Sequence, residues 1–585
     1  MTKKRVSYKI QNIIQLSMLF AIIVLVNVIS SRFFTRIDLT SEKRYTISEA
    51  TRELIRNIDE PMLFKVYLEG DMPPSYKRLR NETREMLMEL MAYNRDIMFD
   101  FIDPHAEPDV KARSDLQLQL YNMGLQPRQV TTRIQGRVST QTIFPGAVVS
   151  YRGQEFAMSI FKTQLGRSEE QMINNSIEQL EYTFARTIKV LTTARKPSVA
   201  FTYGHGELSE SQTAGAFAAL SPFYEVSRVK LDGRGSALFK NDPYDSTRLI
   251  PAYDALIVAK PDSTFSRKNA FLLDQFIMYG GKVLWFLDPV FASLDLLQDT
   301  GAMMAFRINL GLEQQLFNYG VRLNANLIKD LNCLPIPMNV QPAGARPEFR
   351  PFPWYFSPVV SPGSDHPIVK NLNDVRTEFV SSIDTVEVPG VQKTILLTTS
   401  RHSRTERSPV PINLRMALEQ QNPELYREPY LPVAVLLEGE FPSFWEALPQ
   451  PSDQSGLVKI NVSEPTKMLV VSDGDVIRNQ IQTEGSGGSR PLPLGYDRFT
   501  QTTFGNRDFL LNALNYMLGD ARLLEARTKE FRIRRLDPQK LEDRPLVLRW
   551  QLVNVAGPIA IIALAGSIII FLRKRRYSIR YRSVK

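Results

Sequence analysis

Cysteine is almost absent from this chain of 585 residues, with Cys333 standing alone. No internal disulfide can form, so stability has to come from packing, and cysteine usage gives no reading of the redox compartment. Histidine is scarce too: His105, His205, His366 and His402 lie far apart, with neither the H-x-x-H nor the H-E-x-x-H spacing of a zinc site. G-x-S-x-G is missing, which removes the usual elbow for a serine nucleophile. Cys333 sits in DLNCLPIP with a proline two residues on, a poor strand-to-helix elbow for a thiol. The segment nearest to a phosphate-binding loop is Gly280, Gly281 and Lys282. A P-loop needs a strand before its glycines and a helix after them, so that helix-terminal amides cradle phosphate. Here a helix is expected before and a strand after, which a helix C-cap glycine explains. This chain is therefore not expected to hydrolyse ATP, and a process that needed ATP would draw on another chain.

Long hydrophobic runs are also rare, and both lie near the ends. Leu552 to Leu572 carries no formal charge and is followed at once by Arg573, Lys574, Arg575 and Arg576. As a helix it would span roughly 30 Å, the thickness of a bilayer core. It is apolar all round, where a helix on a soluble core would alternate. Pro558 is expected in its first two turns, with Asn554 near the headgroups. Ile13 to Ile29 is apolar apart from Gln15, Ser17 and Asn27, and follows Lys3, Lys4, Arg5 and Lys9. A cleaved signal peptide is the alternative, since Val28 and Ser30 are small. No clear A-x-A site occurs, however, and the run is long for a signal, which favours an uncleaved anchor over 13–31.

The net charge of +10 is distributed unevenly. Four positive charges precede the first run and seven follow the second, leaving about −1 for the body between them. The basicity therefore reads as a topology signal with anionic-lipid contacts, not as a nucleic-acid surface. Both termini (1–12 and 573–585) are expected in the cytoplasm and the body on the other side.

That body is too long for one ordinary core, so two or more domains are expected. In a smaller domain, 32–195, MLFKVYL (62–68) reads as a strand, 81–93 as a helix and IMFDFIDP (97–104) as a second, parallel strand. Short antiparallel strands follow from Val130 to Phe156, then a helix over 176–191 bridging to the next domain. In 196–520, SVAFTYGHGE, DALIVAKP and GGKVLWFLDP alternate with expected helices over 211–220 and 267–279. Fully apolar strands alternating with helices describe an open, mostly parallel sheet covered on both faces. Residues 335–367, with nine prolines, read as an extended insertion and not a strand, their aromatic side chains packing on a neighbour. Four more strands are expected in 379–386, 394–400, 433–439 and 467–475, then a helix over 506–518. A charged stalk over 521–551 leads to the second span at 552–572.

RYTIS, FIDP, YGHGE, the GGK to LDP segment, NYGVRLN with Asp330, HPIVKNL, VSDGD with Arg478 and Asn479, and GNRDFLLNALNYML occur in this order between two terminal spans. In this the chain resembles the GldG family of gliding-motility-associated ABC transporter auxiliary proteins. The resemblance implies an α/β protein of the bacterial inner membrane, anchored by one transmembrane helix at each end. Its large periplasmic part would join the smaller β/α domain to a class I glutamine-amidotransferase-like, flavodoxin-like parallel-sheet domain. It also implies a substrate-binding-like, non-enzymatic subunit beside a separate permease and a separate ATPase, without cofactor, close to envelope or gliding machinery.

Open parallel sheets bind ligands beyond the carboxyl ends of their strands. That places a candidate cleft at Tyr203, Gly204, His205, Gly206, Glu207 and Asp288, with Asp473 and Asp475 from a later strand. His205 and Glu207 suit a general acid and base pair, and equally a hydrogen-bonded turn. Asp473 and Asp475 offer oxygen ligands to Mg²⁺ or Ca²⁺, and an Asp-Gly turn explains the same letters. Two alternatives to a transport role stand beside it: a structural component of a gliding or secretion apparatus, and a cryptic hydrolase or amidotransferase using His205, Glu207 and Asp473.

Overall fold

The computed structural model describes residues 13–27, 47–134, 137–163, 168–193, 195–245, 248–341, 346–451, 457–483, 489–519 and 544–582. The chain divides into two units, Met1–Lys529 and Glu530–Lys585. The RYTIS motif up to Thr46, most of the stalk, the start of the chain and the last three residues of the tail lie outside the described residues.

In the first unit, Met62–Val66 and Ile97–Phe101 pair in parallel as expected. The helix between them starts earlier than its apolar spacing suggests, at Pro74, because proline's fixed φ suits a first helical turn. Gly146–Tyr151 and Gln154–Ser159 extend this sheet antiparallel, giving four strands. The bridging segment is two helices, not one: Glu169–Glu178 and α1 (Leu180–Thr192). Gln179 caps both, and Phe184 of α1 packs 5.4 Å from Phe64 of the sheet.

The central sheet uses β1 (Ser198–Tyr203), β2 (Glu225–Lys230), β3 (Ala255–Ala259), β4 (Lys282–Phe286), β5 (Cys333–Asn339), β6 (Phe349–Pro362), β7 (Val391–Thr398), β8 (Pro432–Gly439) and β9 (Thr466–Val471). Their spatial order is 5-6-7-8-9-4-3-1-2. Strands 2, 1, 3, 4 and 9 run parallel, the flavodoxin-like order that reverses between β1 and β3. Strands 8, 7, 6 and 5 are antiparallel, so the sheet is mixed where a mostly parallel one was expected. The expected strand at 379–386 is not in this sheet, since Ile383–Thr385 pairs with Val321–Leu323 instead.

The proline-rich segment also departs from expectation, forming the β5–β6 hairpin. Pro335 faces Pro353 and Pro337 faces Pro351, two residues apart along each strand. Such positions share one side of the ladder, so Ile336 opposite Phe352 and Met338 opposite Arg350 are free to carry the bonds that proline cannot donate. Trp354 and Phe356 are buried against Phe379, as aromatic packing required.

Helices α2 (Glu210–Leu220), α3 (Arg267–Met278) and α4 (Asn506–Met517) cover the sheet. Alternation along β4 sends Leu284 and Phe286 into the core under α2 and α4, and Val283 and Trp285 into the core under α3. Each such side chain, fully buried, stabilises the fold by about 1.5–3 kcal/mol.

In the second unit, one helix runs over Arg544–Arg582, with an apolar stretch at Val547–Leu572. Its 26 residues rise about 39 Å, long enough to cross a bilayer with some tilt. The helix begins before the expected stretch, so Pro558 lies inside it and not in its first two turns. The missing N–H leaves the Asn554 carbonyl without its helical donor. The N-terminal apolar helix is described over Ile13–Asn27, shorter than a full span.

Candidate functional site

At the reversal point, β1 runs into a turn that closes on itself. Gly204 and Gly206 take φ of +126° and +74°, left-handed values that favour glycine. A Cβ on Gly206 would lie 1.7 Å from Asp262 Oδ1. The His205 N–H donates to Glu207 Oε2 at 2.6 Å, and Thr202 Oγ1 donates to Oε1 at 3.2 Å. The His205 carbonyl accepts from the N–H groups of Asp262 and Ser263, which follow β3. The His205 ring stacks on Phe265 at 3.9 Å, and its Nε2 lies 3.0 Å from Asn269 Nδ2. Burial pushes the Glu207 carboxyl up, but its hydrogen bonds from His205 outweigh this and hold it below the usual range. The turn thus ties β1 to β3 across the point where an open sheet would leave a crevice. Tyr203 stays outside it, exposed.

The three aspartates form a second network. Asp288 follows β4, and Asp473 and Asp475 follow β9; the oxygens they offer lie within 4.8 Å of one another. Lys260, directly after β3 and at φ +54°, reaches into this group. Its Nζ lies 3.0 Å from Asp288 Oδ2 and is closer still to Asp475. Arg478 adds Nη1 at 3.3 Å from Asp475 Oδ1 and pairs outward with Asp295. Backbone amides complete the set: Gly474 donates to Asp288 at 2.6 Å, Asp475 to Asp473 at 2.7 Å, and Glu378 to Asp473 at 2.7 Å. Arg376 pairs with Glu378 at 2.9 Å, and both are buried.

Electrostatics separates these carboxylates. Burial raises Asp475, but Lys260 and Arg478 overcome it and hold the group below its ordinary value. Asp473 is pushed well up by burial and by Asp475 and Asp288. Burial also raises Asp288, more than Lys260 lowers it, and raises Glu378 with help from Asp475. Burial opposes the Lys260 ammonium, yet Asp288, Asp475 and Asp473 together keep it firmly charged. As a donor set the aspartates would suit a hard divalent cation, but the ammonium already sits among them, so a metal would have to displace it.

Apart from Tyr203, the residues expected in one cleft therefore divide into two neighbouring networks, and among the described residues no hydrogen bond or ion pair joins them. Beside Asp475 and Arg478 lies a polar cleft of about 100 Å³, lined also by Asp295, Arg376, Glu378 and Gln480. Lys260 had a signal in the sequence: a lysine directly after five buried apolar residues, at a strand's carboxyl end. Arg376 and Glu378 had none, since they come from a segment without periodicity and reach the site only through packing.

The other suspected chemistry resolves simply. Cys333 lies in β5, and burial with Asp330 pushes its thiol up to about 12, so it is not a thiolate at neutral pH. Gly280 ends the α3 segment at φ +82° and β4 follows, the reverse of a P-loop.

Residues 196–513 match the family described as an ABC-type uncharacterized transport system, and 41–150 match a domain of unknown function. No curated protein matches the chain. Among solved structures it is similar to the mmIFT52 N-terminal domain at 12% identity and TM-score 0.29, covering 55% of this chain and 97% of that one. It also matches a GH42 β-galactosidase, Gan42B from G. stearothermophilus, at 10% identity and TM-score 0.20, over 83% of this chain and 48% of that one. An exo-β-1,4-mannosidase from Opitutaceae bacterium strain TAV5 matches at 11% and 0.18, over 83% and 55%. The chain thus spans about half the length of each glycosidase, and likenesses this slight carry no argument. The family match covers more than half of the sequence, and the chain belongs to this ABC-type transport-system auxiliary family.

Proposed function

We propose that this chain is the non-ATPase, substrate-binding-like auxiliary subunit of an ABC transport complex, held at the bacterial inner membrane beside a separate permease and a separate ATPase. The family match over 196–513, on a chain that also carries the apolar helix Val547–Leu572, supports this reading. Both termini lie in the cytoplasm and the α/β body in the periplasm, a placement supported by the cationic clusters flanking the two apolar runs. The ordered GldG-like motifs make gliding motility or envelope transport the process served. The subunit does no chemistry of its own: His205 and Glu207 are engaged in holding a turn, and Lys260 neutralises the aspartates. Purification of the tagged full-length protein in mild detergent tests the reading. Permease and ATPase should co-purify in fixed stoichiometry, and recovery of the chain without either would overturn it.

A purely structural role is the second reading. It is favoured by the backbone hydrogen bonds that tie residue 205 to Glu207, Asp262 and Ser263, at the position where a doubly wound sheet binds ligands.

A further inference from the structure

The four-stranded sheet of the smaller domain ends on Ile97–Phe101, which is paired on one side only, with Met62–Val66. The Met62 N–H donates to the Asp96 carbonyl at 2.8 Å, and the Ile102 N–H to the Val66 carbonyl at 2.9 Å. Successive residues of a strand bond alternately to its two sides, so residues 96, 98, 100 and 102 bond inward. The N–H and C=O groups of Phe99 and Phe101, with the Ile97 carbonyl, point to the open side and have no hydrogen-bond partner among the described residues. The Ile97 N–H is taken by the Asn94 carbonyl.

Open edges are usually guarded by proline or by basic side chains. The central sheet guards both of its own: Pro335 and Pro337 remove donors from the open side of β5, and Arg228 and Lys230 stand at outward-bonding positions of β2. Ile97–Phe101 reads IMFDF and has neither proline nor a basic residue. Met98 is 46% exposed, and the half-buried Phe99 and Phe101 rings meet edge to face at 6.0 Å. The Arg84 guanidinium of the helix Pro74–Tyr93 lies over Phe101 at 4.5 Å, and further along that helix Met88 and Met91 are exposed.

We propose that this edge pairs with the same edge of a second copy of the chain, antiparallel about a two-fold axis at Phe99. Phe99 then exchanges N–H to C=O bonds with its twin, and the Phe101 N–H reaches the Ile97 carbonyl, so every bond is made by groups that the single chain leaves open. The same register sets Phe99 against Phe99 and Ile97 against Phe101, apolar cross-strand pairs that stabilise a sheet. No like charges meet, because Asp100, the charged residue of the strand, faces Met98. The contact is short, and anchoring both copies in one bilayer by their apolar helices raises their effective concentration. The inference rests on this edge and not on the transport reading.

Cross-linking of the full-length protein in membranes tests it. Phe99→Cys treated with a short bismaleimide should give a product of twice the monomer mass. The unsubstituted chain, whose free cysteine is Cys333, and Tyr244→Cys, at an exposed site in the other domain, should give none. Adding Phe101→Pro to Phe99→Cys removes an outward donor while leaving the bonds to Met62–Val66 in place, and should cut the product about tenfold. If that variant does not fold, differently tagged Phe99→Lys and Phe99→Glu copies decide: neither should co-purify with its own kind, and each should co-purify with the other. No product from Phe99→Cys, an equal product from Tyr244→Cys, or a product undiminished by Phe101→Pro would each overturn the proposal. Cross-linking to a different protein in place of a second copy, or Phe99→Lys copies that still co-purify with one another, would overturn it as well.

Discussion

Lys260 reaches its aspartates because Gly474 has no side chain: a Cβ on Gly474 would lie 2.3 Å from the Lys260 Cβ. The lysine stem passes over the β9 turn and delivers its ammonium to Asp288 and Asp475. A glycine between two aspartates thus sets how closely β3 and β9 approach at their carboxyl ends.

Gly474→Ala should therefore destabilise the protein. The methyl would meet backbone-linked atoms of Lys260, not the far end of a flexible chain, so something must shift. The expected loss is about 1–3 kcal/mol, read from urea midpoints of the detergent-solubilised protein. An unchanged midpoint would show that the packing at this point is loose.

Asp475→Asn and Asp473→Asn should differ in severity. Asp475 holds the negative charge facing Lys260 and Arg478, so its loss leaves a buried site with two half-buried cations short of a partner and costs about 3–5 kcal/mol. Asp473, raised well above the usual carboxyl value, gives up mainly one acceptor for a backbone amide, about 1–2 kcal/mol. Equal losses in the two variants would contradict this division of charge.

The same group gives a pH dependence. A carboxyl whose folded pKa is raised binds a proton in the folded state that the unfolded chain has already released. Its stabilising effect is present below the unfolded value near 3.8 and is lost as pH rises through the raised folded value. The advantage of the native protein over Asp473→Asn should therefore shrink from pH 4 upward, as urea midpoints across pH 4–8 would show. A gap that widens with pH would mean that Asp473 is ionised in the fold.

His205→Ala should act on stability and not on chemistry. It removes the stack on Phe265 and the contact with Asn269, a loss of about 2–4 kcal/mol. Permease and ATPase should still co-purify with the folded variant. A variant of native stability that had lost cellular function would instead point to a direct role for the imidazole.

The proposed topology is testable with a reporter fused after Leu518, where the α/β body ends. A periplasm-dependent reporter should be active there and silent when fused after Lys585. Activity of a cytosolic reporter at Leu518 would invert the arrangement.

Some features followed directly from the order of residues because they depend on local physics. The uncharged stretch before Arg573, the apolar strands at 198–203, 255–259 and 282–286, and the helices capped by Ser209 and Ser266 each need only their own hydrophobic pattern and end groups. The turn at Gly204 to Glu207 was also legible as a turn, because its glycines carry left-handed backbone. Tertiary structure alone decided where Arg376, Glu378 and Lys260 come beside Asp475, since the four residues lie in three separated segments and no spacing rule links them. It also decided that the prolines of 335–362 pair in a hairpin, because whether a missing N–H matters depends on which side of the ladder it faces. Patterning selects elements through contacts a few residues apart, whereas a buried charge is placed by whichever distant partner makes its desolvation tolerable.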